Sequence, residues 1–279
     1  MESGAQSRIN ADHWRAGPDV DAYAHRTLHP VEVLLLVRYR EALSSRVLEV
    51  GCGAGRLLGY LVLLGGEVDG IDISSAMVAH CQREYPQASA RVGDLGAIGA
   101  STEGVFDAIL AVDSVIDVFD DSERRRVLSE LRALLAPDGL LIFSSHNLAQ
   151  PAGVVSAPSP AAGGKLRRVA RRALSKPLIE LATAATRVPR EGRTRARNRR
   201  RLAPLEYRGQ DYSIINDLAH NYALLHYYIG RDAQARQLDE LGYELVECLD
   251  RDGRAVAAGE PGDGAWLFYV ARAAGSGEG

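Results

Sequence analysis

The feature that most constrains the fold is a glycine-rich turn that joins a short apolar strand to a helix. Residues 47–56, spelled VLEVGCGAGR, place Gly51, Gly53 and Gly55 at alternate positions. Glycine carries no Cβ, so such a loop lets the backbone turn sharply and come close to a bound molecule. An isolated glycine-rich segment can also be no more than a tight turn. Its position between a strand and a helix predicts a ligand site.

The segments after this turn repeat the order of strand and helix. The predicted strands are Val47–Val50, Glu67–Ile71, Ala90–Val92, Phe106–Val112 and Leu140–Ser144, and the helices are Arg56–Leu64, Ser75–Tyr85 and Ser122–Leu135. Such alternation is typical of a parallel sheet covered by helices on both faces. A helix over Ala233–Leu241 and two strands, Tyr243–Leu249 and Trp266–Ala271, follow near the end. We therefore predict seven strands in one sheet.

Two carboxylates near the glycine loop indicate the kind of ligand. Asp72 ends the second strand, where a carboxylate can accept hydrogen bonds from both ribose hydroxyls; capping of the helix near Ser75 is the alternative role. Glu49 lies within the first strand and would repel a pyrophosphate, whereas it would attract the amino group and sulfonium of S-adenosylmethionine. The glycine spacing also differs from the GxGxxG fingerprint of nicotinamide-dependent proteins. These residues favour S-adenosylmethionine as the cofactor and disfavour a dehydrogenase.

Four motifs within residues 45–147 together resemble the class I S-adenosylmethionine-dependent methyltransferase family. They are EVGCGAG at 49–55, DIS at 72–74, GDL at 93–95 and PDGLLIF at 137–143. The resemblance implies a doubly wound α/β fold with a mostly parallel seven-stranded sheet, an antiparallel C-terminal strand and a helical insertion after strand five. It also implies four regions. These are an N-terminal helical lid over 1–45 with Asp21–Leu43 helical, a Rossmann-like core over 46–147, a basic, mostly helical, substrate-covering insertion over 148–225, and a completion of the sheet over 226–279.

The resemblance further implies roles for the residues along the cofactor cleft. The glycine loop would underlie the methionine moiety, Asp72 would hold the ribose, and Asp113 after strand four would border the methionine end. Asp94 and Leu95 would face the adenine, and Ile73 and Met77 would pack against its ring. Capping of the next turn is the alternative role for Asp94, and ordinary core packing is the alternative for Met77. The complete set of expected cofactor residues is Glu49, Gly51, Cys52, Gly53, Gly55, Asp72, Ile73, Met77, Asp94, Leu95 and Asp113.

Methyl transfer to an oxygen needs an in-line nucleophile and usually a base that removes its proton. His146 directly follows strand five and can titrate near neutral pH, so it is the first candidate for that base. A loop histidine bound to backbone is the alternative interpretation. Asp117, His220 and His226 are further catalytic candidates.

Residues 217–228 concentrate histidine and tyrosine side chains, which suit a sugar or ring substrate. The expected substrate contacts are Ser114, Asn147, Tyr222 and Tyr227. His220 and His226 are six positions apart, a poor spacing for a shared metal on one helical face. We therefore predict no metal site.

Charge is distributed unevenly along the chain. The net charge is -3, yet residues 165–201 hold 14 Lys and Arg against Glu180 and Glu191, a local charge of +12 that leaves -15 elsewhere. The basic stretch admits three interpretations: a solvated helical face, a clamp for an anionic substrate, or a contact with nucleic acid or a membrane surface. An amphipathic helix over 166–174 has an apolar stripe of mostly Ala and Val, which offers little area for membrane binding.

The cysteines and apolar segments bear on the compartment. Cys52, Cys81 and Cys248 have no metal-ligand spacing, and an odd number argues against a disulfide framework. The first thirty residues contain no apolar segment of the secretory kind, and the longest apolar runs fall far below the roughly 20 residues that span a bilayer. We expect a cytoplasmic protein without a transmembrane segment.

The sequence thus predicts a methyltransferase that acts on a hydroxyl of a small molecule, such as a natural product or a saccharide, with anionic and glycosylated substrates included. An RNA methyltransferase is the alternative suggested by the arginine run, but the chain lacks a recognisable RNA-binding module and an Asn-Pro-Pro-Tyr signature. A noncatalytic scaffold with the cofactor fold is a third interpretation. A monomer and a homodimer are both compatible with the sequence.

Overall fold

The computed structural model describes residues 4–17, 20–151 and 191–274. Its ten strands form one mixed sheet in which β3-β2-β1-β4-β5 are neighbours in that order. In chain order the strands are β1 Arg46–Val50, β2 Glu67–Asp72, β3 Ser89–Val92, β4 Phe106–Ala111, β5 Leu135–Asn147, β6 Tyr207–Arg208, β7 Tyr212–Ile215, β8 His226–Ile229, β9 Tyr243–Leu249 and β10 Trp266–Ala273. Strands β1 to β5 run parallel, and β10 lies antiparallel to both β5 and β9. The predicted doubly wound sheet with its antiparallel C-terminal strand is confirmed.

Three strands, β6, β7 and β8, were not predicted. Strand β8 pairs with the end of β5, where His146 lies opposite Tyr228 and Asn147 opposite Ile229. The described part of the expected helical insertion therefore contains a helix over 191–202 and also two short strands. The Pro, Ala, Gly and Ser content of Pro151–Gly164 predicts a loop there. This segment, from residue 152 onward, and the helix predicted over 166–174 lie outside the described residues.

Helices cover the sheet and its carboxyl edge. In chain order they are α1 Ala5–Arg15, α2 Val20–Ala24, α3 Pro30–Arg38, α4 Arg40–Leu43, α5 Leu58–Leu64, α6 Ser75–Glu84, α7 Ile98–Ser101, α8 Asp121–Ala133, α9 over 191–202 and α10 Arg231–Glu240. The single helix expected over Asp21–Leu43 is divided into three. Proline disfavours helical geometry in the residue before it, so α3 starts at Pro30 with a capping box between His29 and Glu32.

Apolar side chains are buried on both faces of the sheet because neighbouring strand residues point to opposite sides. Leu48 and Ile109 pack into one cluster with α8, whereas Val47 and Leu110 pack into a second cluster with α3 and α5. Burial of each such side chain contributes roughly 1.5 to 3 kcal/mol. With both faces covered, the carboxyl ends of the parallel strands are left as the edge where a ligand can enter.

Helix α1, which was not predicted, is fixed to this edge by two fully buried amides. The Gln6 Nε2 atom donates to the carbonyl oxygens of Asp117 at 3.2 Å and Leu225 at 3.1 Å. The Asn10 Nδ2 atom donates to Val118 at 2.8 Å and again to Leu225 at 2.7 Å. Within 4–17, 20–151 and 191–274, no helix has the length and apolar character needed to cross a membrane.

Candidate active site

A cleft of about 740 Å³ lies at the carboxyl ends of β1, β2, β4 and β5. Fourteen of the expected site residues line it: Glu49, Gly51, Cys52, Gly53, Asp72, Ile73, Met77, Asp94, Leu95, Asp113, Ser114, His146, His220 and His226. One side of the cleft is built by the glycine loop. The opposite side is built by α1, by the segment after α2 and by residues 219–226.

The glycine loop is folded tightly against the ends of β2 and α6. All three glycines have positive φ, at +69° for Gly51, +54° for Gly53 and +85° for Gly55. A Cβ at Gly51 would lie 2.6 Å from Val115, and one at Gly55 would lie 2.6 Å from Tyr85. Around Gly53, in contrast, a Cβ would meet none of the described atoms within 4 Å. Gly51 and Gly55 are therefore required for packing, while Gly53 leaves open space on the cleft side.

Asp72 links this loop to the start of α6. Its Oδ2 accepts from the Gly53 N–H at 2.9 Å and its Oδ1 accepts from the Ser74 N–H at 2.8 Å. Burial raises the pKa of Asp72, and these two backbone hydrogen bonds oppose that rise. Ser74, rather than Asp72, caps the helix through the Met77 N–H. Each carboxylate oxygen retains a lone pair for a ligand hydroxyl.

Glu49 is the most distinctive carboxyl group of the cleft. Only 3% of the residue is exposed, and its Oε2 atom has no hydrogen-bond partner among the described residues. Burial raises the pKa of Glu49 well above its usual range. A buried acidic oxygen without a partner is costly unless a donor or a cation supplies one. The amino group of S-adenosylmethionine has the chemistry that this oxygen lacks.

An arginine that sequence reasoning did not assign connects the loop to the end of β4. The Arg56 guanidinium forms a bidentate pair with the buried Glu32 carboxylate at 2.6 and 2.8 Å. It also contacts Asp113 Oδ2 at 3.1 Å. Asp113 and Ser114 both have left-handed backbone, with φ of 55° and 57°. Such strain in non-glycine residues persists where the surroundings enforce it, often at functional sites.

Asp94 closes the opposite end of the cleft. Its Oδ1 accepts from the Gly96 N–H at 2.8 Å, so it caps the following turn as the alternative interpretation anticipated. Its Oδ2 accepts from Arg15 Nη2 at 2.7 Å, which ties α1 to the cofactor side of the cleft. The apolar side chains of Met77 and Leu95 line the cleft near this point.

His146 and Asp117 form a buried hydrogen-bonded pair. The His146 Nδ1 atom lies 2.8 Å from Asp117 Oδ2, which also accepts from the His146 backbone N–H at 2.7 Å. Burial lowers the pKa of His146 more strongly than the hydrogen bond to Asp117 raises it. Because a carboxylate only accepts, Nδ1 carries the proton of the neutral ring. The Nε2 lone pair is then free on a side chain that lines the cleft.

A second pair of the same kind faces the first. The His226 Nδ1 atom lies 2.7 Å from Asp217 Oδ2, and the two imidazole rings stack with centroids 4.7 Å apart and planes inclined by 23°. Burial alone would raise the pKa of Asp217, but hydrogen bonds from His226 and Tyr228 lower it to about 2. Sequence reasoning did not assign Asp217. The available signal was an acidic residue at the start of the histidine- and tyrosine-rich segment.

These side chains also form a group that could bind a metal ion. His146, Asp217 and His226 each offer one ligand atom, and these atoms lie within 4.8 Å of one another. The spacing of His220 and His226 along the chain disfavours a shared metal on one helical face. In the structure His226 instead faces His146, and Asp217 completes the group, so the spacing of His220 and His226 does not bear on it.

His220 lies in an aromatic part of the cleft. It contacts Trp14 and His13 with ring centroids 4.9 and 5.0 Å away, and its backbone φ is 50°. Asn221 and Tyr222 continue this left-handed turn. Burial and nearby His13 and His226 lower the pKa of His220 to about 4.

Five expected site residues do not line the cleft, namely Gly55, Asp117, Asn147, Tyr222 and Tyr227. Asn147 is fully buried and its amide donates to the carbonyl oxygens of Pro261 and Gly264. The Tyr227 ring is also fully buried, stacks on Tyr212 and donates to Asp121 Oδ1 at 2.6 Å. These partners satisfy both side chains within the protein and leave them no direct approach to a ligand in the cleft.

Comparison with known proteins agrees with this architecture. Residues 47–139 match the family model described as a methyltransferase domain. A putative methyltransferase of Geobacillus sp. (strain WCH70) is 32% identical over 115 residues, which cover 40% of this chain and 47% of that protein. A ubiquinone biosynthesis O-methyltransferase of Xanthomonas axonopodis pv. citri is 30% identical over 139 residues, which cover 48% of this chain and 56% of that protein. The chain thus spans about half the length of these curated relatives.

Solved structures share the fold over nearly the whole chain. The 1,6-didemethyltoxoflavin-N1-methyltransferase of Burkholderia thailandensis, solved with S-adenosylhomocysteine, has a TM-score of 0.57 at 14% identity and covers 98% of this chain and 91% of that chain. The CcbJ methyltransferase of Streptomyces caelestis has a TM-score of 0.53 at 18% identity, with coverage of 98% and 97%. Residues 47–139 thus match a methyltransferase domain, and the chain has the fold of S-adenosylmethionine-dependent methyltransferases of known structure.

Proposed function

We propose that this chain methylates an oxygen atom of a small molecule, with His146 as the general base. The observation that carries the proposal is the His146–Asp117 pair. It holds the imidazole by Nδ1 and leaves Nε2 unprotonated on a side chain that lines the cleft. A histidine held in this way can take a proton from a hydroxyl group as that group attacks a methyl carbon.

The cofactor side of the proposal assigns roles to the glycine loop and its carboxylates. S-adenosylmethionine, when bound, supplies an electrophilic methyl group on a sulfonium. Glu49 would accept from its amino group, because Glu49 Oε2 is buried and has no partner among the described residues. Asp72 would accept from the ribose hydroxyls, and Ile73, Met77 and Leu95 would pack against the adenine. Cys52 would contribute its backbone, as do the three glycines.

The catalytic side depends on how the protein stabilises a protonated His146. The imidazole would receive the substrate proton at Nε2 and become a cation next to Asp117, whose Oδ2 lies 2.8 Å from Nδ1. Asp117 is held in turn by Ser145 Oγ at 2.7 Å and by the His146 backbone N–H. This arrangement keeps the base in one tautomer and one orientation. Alignment of the hydroxyl with the methyl group would then supply most of the remaining rate enhancement.

The size and lining of the cleft support a small-molecule acceptor. A single cleft of about 740 Å³ would have to hold both the cofactor and the acceptor, which leaves room for a small acceptor only. Ser114, with a buried Oγ that has no partner among the described residues, remains a proposed substrate contact. The RNA alternative relies on the basic stretch 165–201, of which 165–190 lie outside the described residues. Arg195 and Arg199 of its described part instead bind Asn221 and Asn216 within the protein.

The compartment and the charge of the acceptor are further parts of the proposal. The three cysteines are free and buried, which is compatible with a reducing, cytoplasmic compartment. Arg26 and Arg251 line the cleft, where the Arg26 guanidinium lies over the Tyr23 ring and that of Arg251 lies over the Trp266 ring. They support an anionic group on the acceptor.

The first experiment is calorimetric titration of the full chain with S-adenosylmethionine, S-adenosylhomocysteine and NAD. We expect micromolar binding of the first two alone; binding of NAD alone, or of none, would reject the proposal. A methyl-transfer screen with labelled cofactor then compares the wild type with His146→Ala, with His80→Ala on α6 as a histidine control outside the cleft. His146→Ala should lower turnover by roughly 100-fold and leave cofactor affinity nearly intact. An unchanged rate would assign the base elsewhere.

A further inference from the structure

We infer that the methyl acceptor presents two hydroxyl groups on adjacent carbons of a ring, and that the two histidine–carboxylate pairs bind one hydroxyl each. This inference rests on the proposed role of His146 as the base. It adds a substrate class, a vicinal diol such as a catechol or a saccharide diol, and a second binding group, His226.

The two pairs are built alike although they come from different parts of the chain. In each pair a buried carboxylate accepts from Nδ1, at 2.8 Å for His146 and 2.7 Å for His226. Both rings line the same cleft, so Nε2 is the nitrogen that each ring has left for a ligand. One base would satisfy a single hydroxyl group. The duplicated arrangement supplies a second hydrogen-bonding nitrogen beside the first.

The spacing of the rings suits neighbouring oxygens. The imidazole centroids are 4.7 Å apart and the rings are nearly parallel, inclined by 23°. Oxygens on adjacent ring carbons are separated by about one hydrogen-bond length, about 3 Å, so each can reach one of the two nitrogens. The hydrogen bond between a substrate hydroxyl and His226 can form with either protonation state of the ring, because a hydroxyl group both donates and accepts. A substrate with a single hydroxyl would leave one buried nitrogen without a partner, which costs binding energy.

The contacts of Asp217 favour a diol over a metal ion. Its Oδ2 accepts from His226 Nδ1 and from Tyr228 Oη, both at 2.7 Å. Its Oδ1 accepts from the Ala219 N–H at 2.9 Å. Both lone pairs of Oδ2, the oxygen that contacts His226, are therefore occupied, and a cation could bind this oxygen only by displacing one of the two donors. The carboxylate therefore serves to orient His226, as Asp117 orients His146.

The surrounding rings indicate a cyclic acceptor. Trp266 lines the cleft and lies beside His146, with a centroid distance of 5.9 Å. Trp266 Nε1 is buried and has no acceptor among the described residues. It can donate to a further oxygen on the same ring. Flat aromatic and imidazole surfaces on several sides fit a ring better than an extended chain.

Tryptophan fluorescence tests the inference directly. The sequence contains only Trp14 and Trp266, and both line the cleft, so emission excited at the red edge of absorption reports on this site. The full chain, saturated with S-adenosylhomocysteine, is titrated with catechol against phenol and with cis-1,2-cyclohexanediol against cyclohexanol. We expect at least one diol to bind about 5- to 10-fold more tightly than its single-hydroxyl partner, the effect of one added hydrogen bond.

Variants assign the preference to the second pair. His226→Phe keeps a stacking ring but removes Nε2, and it should reduce the preference to less than about twofold. Asp217→Asn keeps both nitrogens but loosens His226, and it serves as a second variant if His226→Phe does not fold. His25→Phe is the control, because His25 also lines the cleft but belongs to neither pair. It should retain the full preference.

Each contrary outcome has a separate meaning. Equal affinity for diol and single-hydroxyl probes, or a preference that survives in both variants, overturns the inference. A preference that EDTA abolishes and Mg²⁺ or Zn²⁺ restores assigns His146, Asp217 and His226 to a cation and also overturns it. Failure of the chain to bind S-adenosylhomocysteine contradicts the proposed function itself, and is detected before any diol is added.

Discussion

The guanidinium of Arg124 and the carboxylate of Asp117 form an ion pair with both side chains fully buried, with Nη2 3.4 Å from Oδ1. Arg124 also donates to Ser145 Oγ at 3.2 Å and to Gln234 Oε1 at 2.8 Å. Its ring partner is Tyr227, whose centroid lies 4.7 Å from the guanidinium carbon. Arg124 thus occupies one oxygen of Asp117 and leaves the other to His146. Through Asp117, this arginine of helix α8 therefore helps to orient His146.

Arg124→Met should destabilise the protein and impair the base together. Removal of one partner from a buried ion pair leaves an uncompensated charge, which costs roughly 3 to 5 kcal/mol of unfolding free energy. Urea unfolding of the variant measures this loss. In the double variant Arg124→Met/Asp117→Asn the stranded charge is gone, so stability should recover in part while turnover stays low. Full recovery of turnover in the double variant would show that Asp117 has no role at His146.

Asp72→Ala should weaken binding of every ligand that contains the ribose. The expected loss is roughly 1.5 to 3 kcal/mol, the range for hydrogen bonds to a charged group. Calorimetry with S-adenosylhomocysteine and with 5′-methylthioadenosine measures it, since both ligands carry the same ribose. Unchanged affinity for either ligand would refute the ribose assignment.

Glu49→Gln should discriminate between the same two ligands. Gln keeps the size of the side chain but cannot attract a cationic amino group, so affinity for S-adenosylhomocysteine should fall by about tenfold or more. Affinity for 5′-methylthioadenosine, which has no amino acid moiety, should stay within about twofold. An equal loss for both ligands would mean that Glu49 acts on the shape of the loop instead.

The pH dependence of kcat/KM should have its acid limb below pH 6.5. Burial lowers the pKa of His146 from 6.5, with a further lowering by nearby His226, and only the neutral ring can accept a proton. Activity is therefore complete near neutral pH and is lost as the pH falls through the lowered pKa. The hydrogen bond that His146 donates to Asp117 raises that pKa, so Asp117→Asn should move the midpoint to still lower pH as well as reduce the rate. An acid limb above pH 6.5 would contradict this assignment.

The free energy of unfolding should also change with pH because of His220. Its folded-state pKa of about 4 lies below the unfolded value of 6.5, so the unfolded state binds the proton more readily. The contribution of His220 is present above pH 6.5 and is lost as the pH falls towards 4. Urea midpoints at pH 7.5 and 5 measure the loss. His220→Asn, which tolerates left-handed backbone, should reduce the difference between the two pH values; an unaltered difference would assign the titration to other groups.

The core of the fold was predictable because its signals are local. The glycine loop and Asp72 each lie within a few residues of the element that they define. Asp217 pairs with His226 across a left-handed turn, and no sequence periodicity reports such a turn. Helix α1 was missed for a different reason. Its most buried residues, Gln6 and Asn10, are polar, so an apolar stripe does not mark the face that packs.

Tyr227 is a residue for which the sequence indicated a substrate contact that the structure does not show. An aromatic residue between two others in a histidine-rich segment suggested a substrate contact. Alternation along β8 instead turns its side chain towards Tyr212 and Arg124, away from the rings of His226 and Tyr228. The strand could not be recognised in advance because it is four residues long and pairs with β5 at only two positions.

The amides of Gln6 and Asn10 also set an order of events during synthesis on the ribosome. Both bind the Leu225 carbonyl, more than 200 residues further along the chain, and both also bind the backbone next to Asp117. The cofactor loop and strands β1 to β5 all lie within residues 46–147, which are synthesised before residue 225. The half of the cleft that contains His226 cannot close until residue 225 has left the exit tunnel. A nascent chain would therefore acquire its cofactor-binding half well before the half that selects the acceptor.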